Sequence, residues 1–120
     1  METKNAIIES TTLGYADHDV LSFWLMLDYG GTGQGFGGFA LDGPGKNGHR
    51  VGCAFGLEAI MGVLTTLGVD TWEKLPGTPL RVRGDLGLGS SKIDAIGHLL
   101  KDQWLDLSEL AARHKMGAPR

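Results

Sequence analysis

Residues 21–41 read LSFWLMLDYGGTGQGFGGFAL, and this stretch decides the fold class. Its first nine residues, 21–29, are almost continuously apolar and are bounded by turn-forming residues. This pattern is typical of a strand that is covered on both faces. A glycine-rich turn over residues 30–33 follows, and residues 34–41 form a second strand-like segment that glycine interrupts. The stretch therefore predicts two strands joined by a glycine turn, with the first strand central in its sheet.

The segments on both sides of this stretch predict a further strand and a helix. Residues 6–13 predict a strand before it, and residues 14–19 a polar turn. Residues 42–49 consist mainly of turn formers and predict an exposed, mobile loop. Residues 51–67 carry apolar side chains at helical spacing, with Gly68 placed as the C-terminal cap. The apolar positions of this predicted helix are Val51, Ala54, Phe55, Leu57, Ile60, Met61, Leu64 and Leu67.

The last third of the chain predicts two more strands and a second helix. In residues 80–83 two apolar residues alternate with two arginines, as in a strand with one covered face. A glycine-rich turn over residues 84–90 leads to another strand over residues 92–99. Asp106 is placed to cap a helix over residues 107–114, because an aspartate there accepts a hydrogen bond from the first helical turn.

The predicted order is three strands, a helix, two strands and a helix. This order indicates an α+β fold, an antiparallel sheet of about five strands with the long helix packed on one face. A chain of 120 residues has room for one domain, so residues 1–120 are expected to form one, with a flexible tail over residues 115–120. A short helical turn over residues 71–75, capped by Asp70, is expected before the fourth strand.

The composition excludes several classes of function. A net charge of -3 argues against unspecific binding to a nucleic-acid backbone. No run of 18 or more apolar residues is present, so no membrane span is expected. The single cysteine, Cys53, has no partner for an internal disulfide, and the first ten residues lack the apolar segment of a signal peptide. A cytoplasmic protein without a cofactor is the expectation.

Gly33, Gly35 and Gly38 satisfy the pattern G-x-G-x-x-G. In a dinucleotide-binding fold this pattern opens a helix, whereas the following residues, 39–48 (FALDGPGKNG), are unsuited to one. A glycine hairpin over phosphates, as in kinases, fits the local context better, but no catalytic-loop or metal-binding signature accompanies it. Two interpretations stay open. The glycines let the strand curve or the long helix approach closely, or they expose main-chain amides to a ligand or partner.

Two polar groupings are further candidates for binding. Asp17, His18 and Asp19 are potential metal ligands, but neighbouring residues point to opposite sides and no second cluster exists. A solvated turn without metal is therefore expected. Arg81 and Arg83 project from one face of a strand, where they bind a phosphate or an acidic partner, or form the solvated face of a half-covered sheet.

Cys53 and His98 are weak candidates for catalysis. Cys53 lies in the first turn of the predicted helix, behind His49 and Arg50, a setting that lowers a thiol pKa. A lone cysteine is more often a small core residue. His98 would need a nearby carboxylate, and no oxyanion-hole motif accompanies either residue. Small residues at 52 and 56 favour close packing of the helix over dimerisation, although a homodimer stays open.

Three segments together resemble a family of small proteins from phages and prophages: residues 7–42, containing LDYGGTGQGFGG; residues 68–83, GVDTWEKLPGTPLRVR; and residues 95–104, AIGHLLKDQW. The resemblance implies a phage accessory protein that works in the bacterial cytoplasm, and it supplies no catalytic residues. Small phage accessory proteins are often inhibitors of host machinery, including anti-CRISPR proteins and sponges for defence signalling nucleotides.

Three functions follow as hypotheses. The first is a non-enzymatic phage protein that inhibits a bacterial defence component, either by blocking a host protein complex or by sequestering a small nucleotide. A blocker would mimic nucleic acid with acidic side chains, and a sponge would use glycine amides with an arginine. The alternatives are a small enzyme using Cys53 or His98, and a structural or replication-associated phage protein. The predicted contact residues are Gly31, Gly33, Gln34, Gly35, Phe36, Asp17, Asp19, Asp42, Lys46, Arg81 and Arg83.

Overall fold

The computed structural model describes residues 2–17, 19–30, 33–86 and 92–115, which form an α+β fold with a curled antiparallel sheet. The strands and helices in these residues are β1 (Glu2–Asp17), β2 (Val20–Asp28), β3 (Gly33–Gly37), β4 (Asp42–Pro44), β5 (Arg50–Gly52), α1 (Ala54–Leu67), β6 (Pro79–Asp85), β7 (Lys92–Gly97), β8 (Trp104–Leu105) and α2 (Leu107–Arg113). Six strands form the main sheet in the order β3-β2-β1-β6-β7-β8, and β4 pairs with β5 in a small second sheet.

The long strand β1 organises the main sheet by pairing with two strands in succession. Its first part pairs with β6, from Glu2 to Ile7, and its later part pairs with β2, from Ile7 to Asp17. The register shifts between Ile8 and Ser10, as at a β-bulge, which bends a strand and increases its twist. The sheet curls so far that Cα atoms of β3 and β7 come within 8 Å of each other.

The core lies inside this curl and is closed by the two helices. β2 contributes the alternate side chains Phe23, Leu25 and Leu27, each at most 1% exposed. Helix α1 faces them with its own buried side. The fully buried residues of the core include Ile8, Phe55, Ala59, Val63, Leu75, Leu80, Val82 and Ile96. Neither described helix is long and apolar enough to cross a membrane.

The predicted α+β class is confirmed, but three predictions about the strands are wrong and one strand was missed. β1 continues to Asp17 where a turn was expected, and the short strand β8 was not foreseen. The predicted loop over residues 42–49 contains β4, and its first residue, Asp42, is buried. β2 was predicted to be covered on both faces. It has a strand on each side, but one of its faces is open, as the 41% exposure of Met26 shows.

The helix predictions are confirmed at the end of α1 and at the start of α2. Gly68 ends α1 in the left-handed conformation at φ +70°, and Asp106 caps α2 by accepting a hydrogen bond from the Glu109 N–H at 3.0 Å. α1 begins at Ala54, because Val51 belongs to β5. Asp70 does not cap the following 3₁₀ turn but pairs with Lys74 at 2.9 Å. Residues 87–90 and 116–120, predicted as turn and tail, lie outside the described residues.

Candidate functional site

Two glycines, Gly35 in β3 and Gly38 just after it, accommodate a tryptophan side chain from the neighbouring strand. A Cβ atom at Gly35 would lie 2.8 Å from Cε3 of Trp24, and one at Gly38 would lie 2.4 Å from its Cζ2. Gly38 also has a φ of +82°, a backbone conformation that residues other than glycine rarely adopt. The close approach predicted at these glycines is therefore present, but the approaching group is Trp24 and not the long helix.

The outer edge of β3 presents main-chain amides to a small cleft. The N–H of Gly38 donates to the carbonyl of Phe23 at 2.9 Å, and hydrogen-bonded pairs alternate in an antiparallel ladder. The N–H groups of Gly35 and Gly37 consequently point away from β2, towards the open edge. The cleft between β3 and β7 there has a volume of about 170 Å³. Sites for drug-sized ligands measure about 300–1,000 Å³.

The structure places the predicted glycine-segment residues unevenly around this cleft. Gln34 and Gly35 line it, and Phe36 lines it with a side chain that is otherwise buried in the core. Gly33 is exposed at the start of β3, and Gly31 lies outside the described residues. The other polar side chains on the cleft, which sequence reasoning did not connect with the glycines, are Lys92, Asp94 and Ser108.

Asp42 is a structural carboxylate and not an exposed one. Its Oδ1 accepts a hydrogen bond from Nη2 of Arg50 at 2.9 Å, and the N–H of Leu21 lies 3.3 Å from both of its carboxylate oxygens. Burial alone would raise the pKa of the Asp42 carboxyl, but the bonds from Arg50 and Leu21 hold the pKa below its usual value. The prediction that Asp42 is exposed and mimics nucleic acid is wrong, because the side chain is buried.

The remaining predicted loop contacts are dispersed. Asp19 is exposed with φ +63°, and Lys46 is exposed in a 3₁₀ turn, Lys46–Gly48. Asp17 ends β1, but its side chain and all of His18 lie outside the described residues. Within the part of the chain that the structure describes, no three His, Cys, Asp or Glu side chains are grouped closely enough to hold a metal ion.

Arg81 and Arg83 both lie against the ring of Trp104. The sequence did not predict this contact, because Trp104 is more than twenty residues away along the chain. The guanidinium carbons of the two arginines lie 4.7 and 4.8 Å from the ring centroid. Arg81 also donates from Nε to the carbonyl of His98 and from Nη2 to that of Lys101, both at 2.8 Å. The two arginines thus form one cationic cluster on the outer face of the sheet, and Arg81 is held there by the loop before β8.

The two weak catalytic candidates have structural contacts. Sγ of Cys53 donates to the carbonyl of Leu41 at 3.4 Å, at the residue before α1. Nδ1 of His98 accepts from the N–H groups of Leu100 and Lys101, both at 3.0 Å, and so closes a turn. Among the described residues, no hydrogen bond joins either side chain to a carboxylate.

A histidine–carboxylate pair that the sequence did not suggest lies elsewhere. Nε2 of His114 is 2.6 Å from Oε2 of Glu58, and the histidine ring packs edge-on against Phe55 with centroids 6.0 Å apart. The contact joins the end of α2 to α1 across 56 residues of sequence. No local pattern signals such a pair, because the two residues meet only through helix packing.

The exposed side of α1 is the feature that differs most from what the sequence predicted. Leu57 and Met61 are among the apolar positions that predicted the helix, yet they are 63% and 55% exposed. Ile60 and Leu64 beside them are only partly covered. These four residues, Leu57, Ile60, Met61 and Leu64, are here termed the α1 outer face.

An open groove adjoins the α1 outer face and has no charged residue in its lining. Its volume is about 440 Å³, and it is lined by Leu21, Leu41, Gly52, Cys53, Ala54, Gly56, Leu57 and Ile60. Helix α1 itself carries one charged residue, Glu58, among its fourteen. An apolar helix side is normally covered, whereas the α1 outer face is left largely open.

The chain was compared with protein-family models, with curated proteins and with solved structures, and none of the three comparisons found a match.

Proposed function

We propose that this protein is a non-enzymatic inhibitor that docks on a protein of a bacterial defence system through the α1 outer face. The observation that carries the proposal is the exposure of Leu57 and Met61 on a helix with a single charged residue. Contiguous exposed apolar residues on a small protein mark interaction surfaces, because burying them removes apolar area from water.

The adjoining groove supports contact with a protein surface. It is open, uncharged and about 440 Å³ in volume, which suits an apolar side chain inserted from a partner. Binding energy at protein interfaces is concentrated in such anchor side chains, which fill apolar pockets near the centre of the contact. The α1 outer face would surround that anchor and exclude water from it.

The geometry favours a protein blocker over a nucleotide sponge. The cleft at the glycine amides, at about 170 Å³, is smaller than the sites that enclose drug-sized ligands. The arginines proposed to bind phosphates with those amides lie instead on Trp104, which is absent from the cleft lining. The two parts of the predicted nucleotide site are thus not assembled in one place.

Charge complementarity favours a basic partner over a second copy of the chain. Each chain has a net charge of -3, so two copies repel each other at long range. Defence complexes that hold nucleic acid carry positive charge to do so, and they attract an acidic protein. The resemblance to phage accessory proteins supports the same class of partner.

A plaque assay tests the proposal. The protein is expressed in a panel of bacterial strains that each carry one nucleic-acid-targeting defence system, CRISPR–Cas among them, and the strains are challenged with a phage that the system restricts. We expect wild-type protein to restore plaque formation in one strain. Leu57→Glu, which places a charge in the docking surface, is expected to abolish that effect while the protein remains folded.

The matched control is Leu100→Glu, because Leu100 is a leucine that is 85% exposed outside α1. It is expected to restore plaques as well as wild type does. Failure of wild-type protein in every strain would contradict the defence target, and full activity of folded Leu57→Glu would contradict the surface. Native mass spectrometry showing a stable dimer that Leu57→Glu dissociates would assign the α1 outer face to self-association instead.

A further inference from the structure

The residues directly opposite the two arginines of this cluster, on the neighbouring strands of the sheet, are uncharged. Arg81 pairs with Asn5 on β1 and Gly97 on β7, and these neighbours are uncharged. Arg83 likewise pairs with Thr3 and Ala95. Directly opposed residues are the ones whose side chains interact across strands, so neither guanidinium is neutralised by its strand partner.

Trp104 fixes the position of both cations. Its ring lies on Gly97, where a Cβ atom would be only 2.6 Å from Cε3, so the glycine lets the ring lie against the strand. Both guanidinium groups then rest within 5 Å of the ring centroid. A guanidinium that stacks through its flat face keeps its N–H groups directed outward, in the plane of the group.

Arg83 differs from Arg81 in having unused donors. Arg81 donates to two carbonyl groups, whereas Nε of Arg83 is buried and has no hydrogen-bond partner. Among the residues that the structure describes, the side chain of Arg83 makes neither a hydrogen bond nor an ion pair. A buried donor without a protein partner is rare in proteins, and a bound water, an ion or a ligand can satisfy it.

We infer that Arg83, held on Trp104 beside Arg81, binds an oxyanion group of a small molecule, a phosphate or a carboxylate. Arg83 would supply paired N–H donors to two oxygens of the anion, the geometry in which guanidinium recognises both groups. Arg81 would contribute its charge, because its Nε and one of its Nη atoms are already occupied. This site is independent of the α1 outer face and of the partner proposed for it.

Titration with inorganic phosphate, followed by the NMR signal of the Trp104 indole N–H at constant ionic strength, tests the site. We expect a saturable shift in wild-type protein and at least a tenfold weaker affinity in Arg83→Gln. The matched control is Arg113→Gln, which removes an exposed arginine from the last turn of α2 and should bind phosphate like wild type. A parallel titration with acetate distinguishes the sources: tighter binding of phosphate assigns a phosphate group, and equal binding assigns a carboxylate.

The site is refuted if wild-type protein shows no saturable shift with either anion at tens of millimolar, or if Arg83→Gln binds as wild type does. Arg83→Lys keeps the test decisive in case Arg83→Gln does not fold. A lysine retains the charge but lacks the planar pair of donors, so its affinity is expected to fall severalfold. An unchanged affinity in Arg83→Lys would equally refute bidentate binding by Arg83.

Discussion

Helix α1 has two apolar sides, and the chain covers only one of them. On the inner side Phe55, Ala59 and Val63 are at most 1% exposed and pack against the sheet. On the outer side Leu57 and Met61 are more than half exposed, although they are as apolar as their buried counterparts. The comparison teaches that hydrophobic spacing identifies a helix without telling which of its sides this chain uses. Substitutions on the inner side should change stability, and those on the outer side should change binding.

Gly56→Ala should have one of the two largest effects on stability. A Cβ atom there would lie 1.9 Å from the carbonyl oxygen of Leu41, which the bond from the Leu41 N–H to Leu21 holds in place. Relieving such an overlap costs about 3 kcal/mol, more than the roughly 1 kcal/mol that alanine gains over glycine in a helix. Chemical denaturation measures the difference.

Gly62→Ala in the same helix is the matched control, because a Cβ atom there would have its nearest contacts with the side chain of Leu105, starting at Cδ1 at 3.1 Å, and not with main-chain atoms. That variant should be as stable as wild type or more stable by up to about 1 kcal/mol. If Gly56→Ala behaves like Gly62→Ala, the packing of Leu41 on α1 is not as close as described.

Val63→Ala and Leu57→Ala compare the two sides directly. Val63 is fully buried, and removing its two methyl groups should lower the free energy of unfolding by about 2 kcal/mol. Leu57→Ala should lower it by less than about 0.5 kcal/mol, because that side chain is already mostly in water. Equal losses in denaturation midpoints at the same slope would show that the outer side is covered in the isolated protein.

Asp42 supports the wall of the groove beside the outer side, and its contribution should depend on pH. The pKa of Asp42 is lower in the folded protein than its ordinary value of 3.8, so the folded state favours the charged form. The resulting stabilisation is complete above the unfolded-state pKa and is lost as the pH falls through the folded-state pKa. Near neutral pH, Asp42→Asn should lower the unfolding free energy by about 1 kcal/mol.

Denaturation of wild type and Asp42→Asn at a series of pH values checks this prediction. The difference between them should stay constant from neutral pH down to the region of 3.8 and shrink below it. A difference that is the same at all acidic pH values would mean that the carboxylate is not stabilised by Arg50 and Leu21.

Cys53→Ala should have the smallest effect of all. The thiol makes one long hydrogen bond, 3.4 Å to the carbonyl of Leu41, and alanine preserves the apolar lining of the groove. Stability should change by less than about 0.5 kcal/mol, and activity in the plaque assay should be unchanged. Loss of activity without loss of stability would favour the alternative of a cysteine enzyme.

Local signals in the sequence were sufficient for the parts of the fold that depend on neighbouring residues. The cap at Asp106, the end of α1 at Gly68 and the alternation around Arg81 each follow from a short motif. β8 and the β4–β5 pair were missed because strands of two or three residues carry too little periodicity to be recognised.

The sequence identified several residues of the candidate sites, but it did not show which of them lie together in space. Arg81 and Arg83 were recognised as a pair, whereas their meeting with Trp104 depends on β7 and β8 lying beside β6. The groups around Asp42 were misjudged because a run of turn formers gave no indication that Arg50 folds back onto it. Such contacts depend on the packing of segments that are distant in sequence, and this packing cannot be inferred from local composition.

Photo-crosslinking in the bacterium tests the central claim most directly. A benzophenone-bearing residue replaces Leu57 in one variant and Leu100 in another, and each variant is irradiated in the strain whose defence the wild-type protein overcomes. We expect position 57 to give one discrete adduct with a component of that defence system, and position 100 to give none. Adducts of equal yield at both positions, or an adduct at position 57 with a second copy of the chain alone, would contradict docking through the α1 outer face.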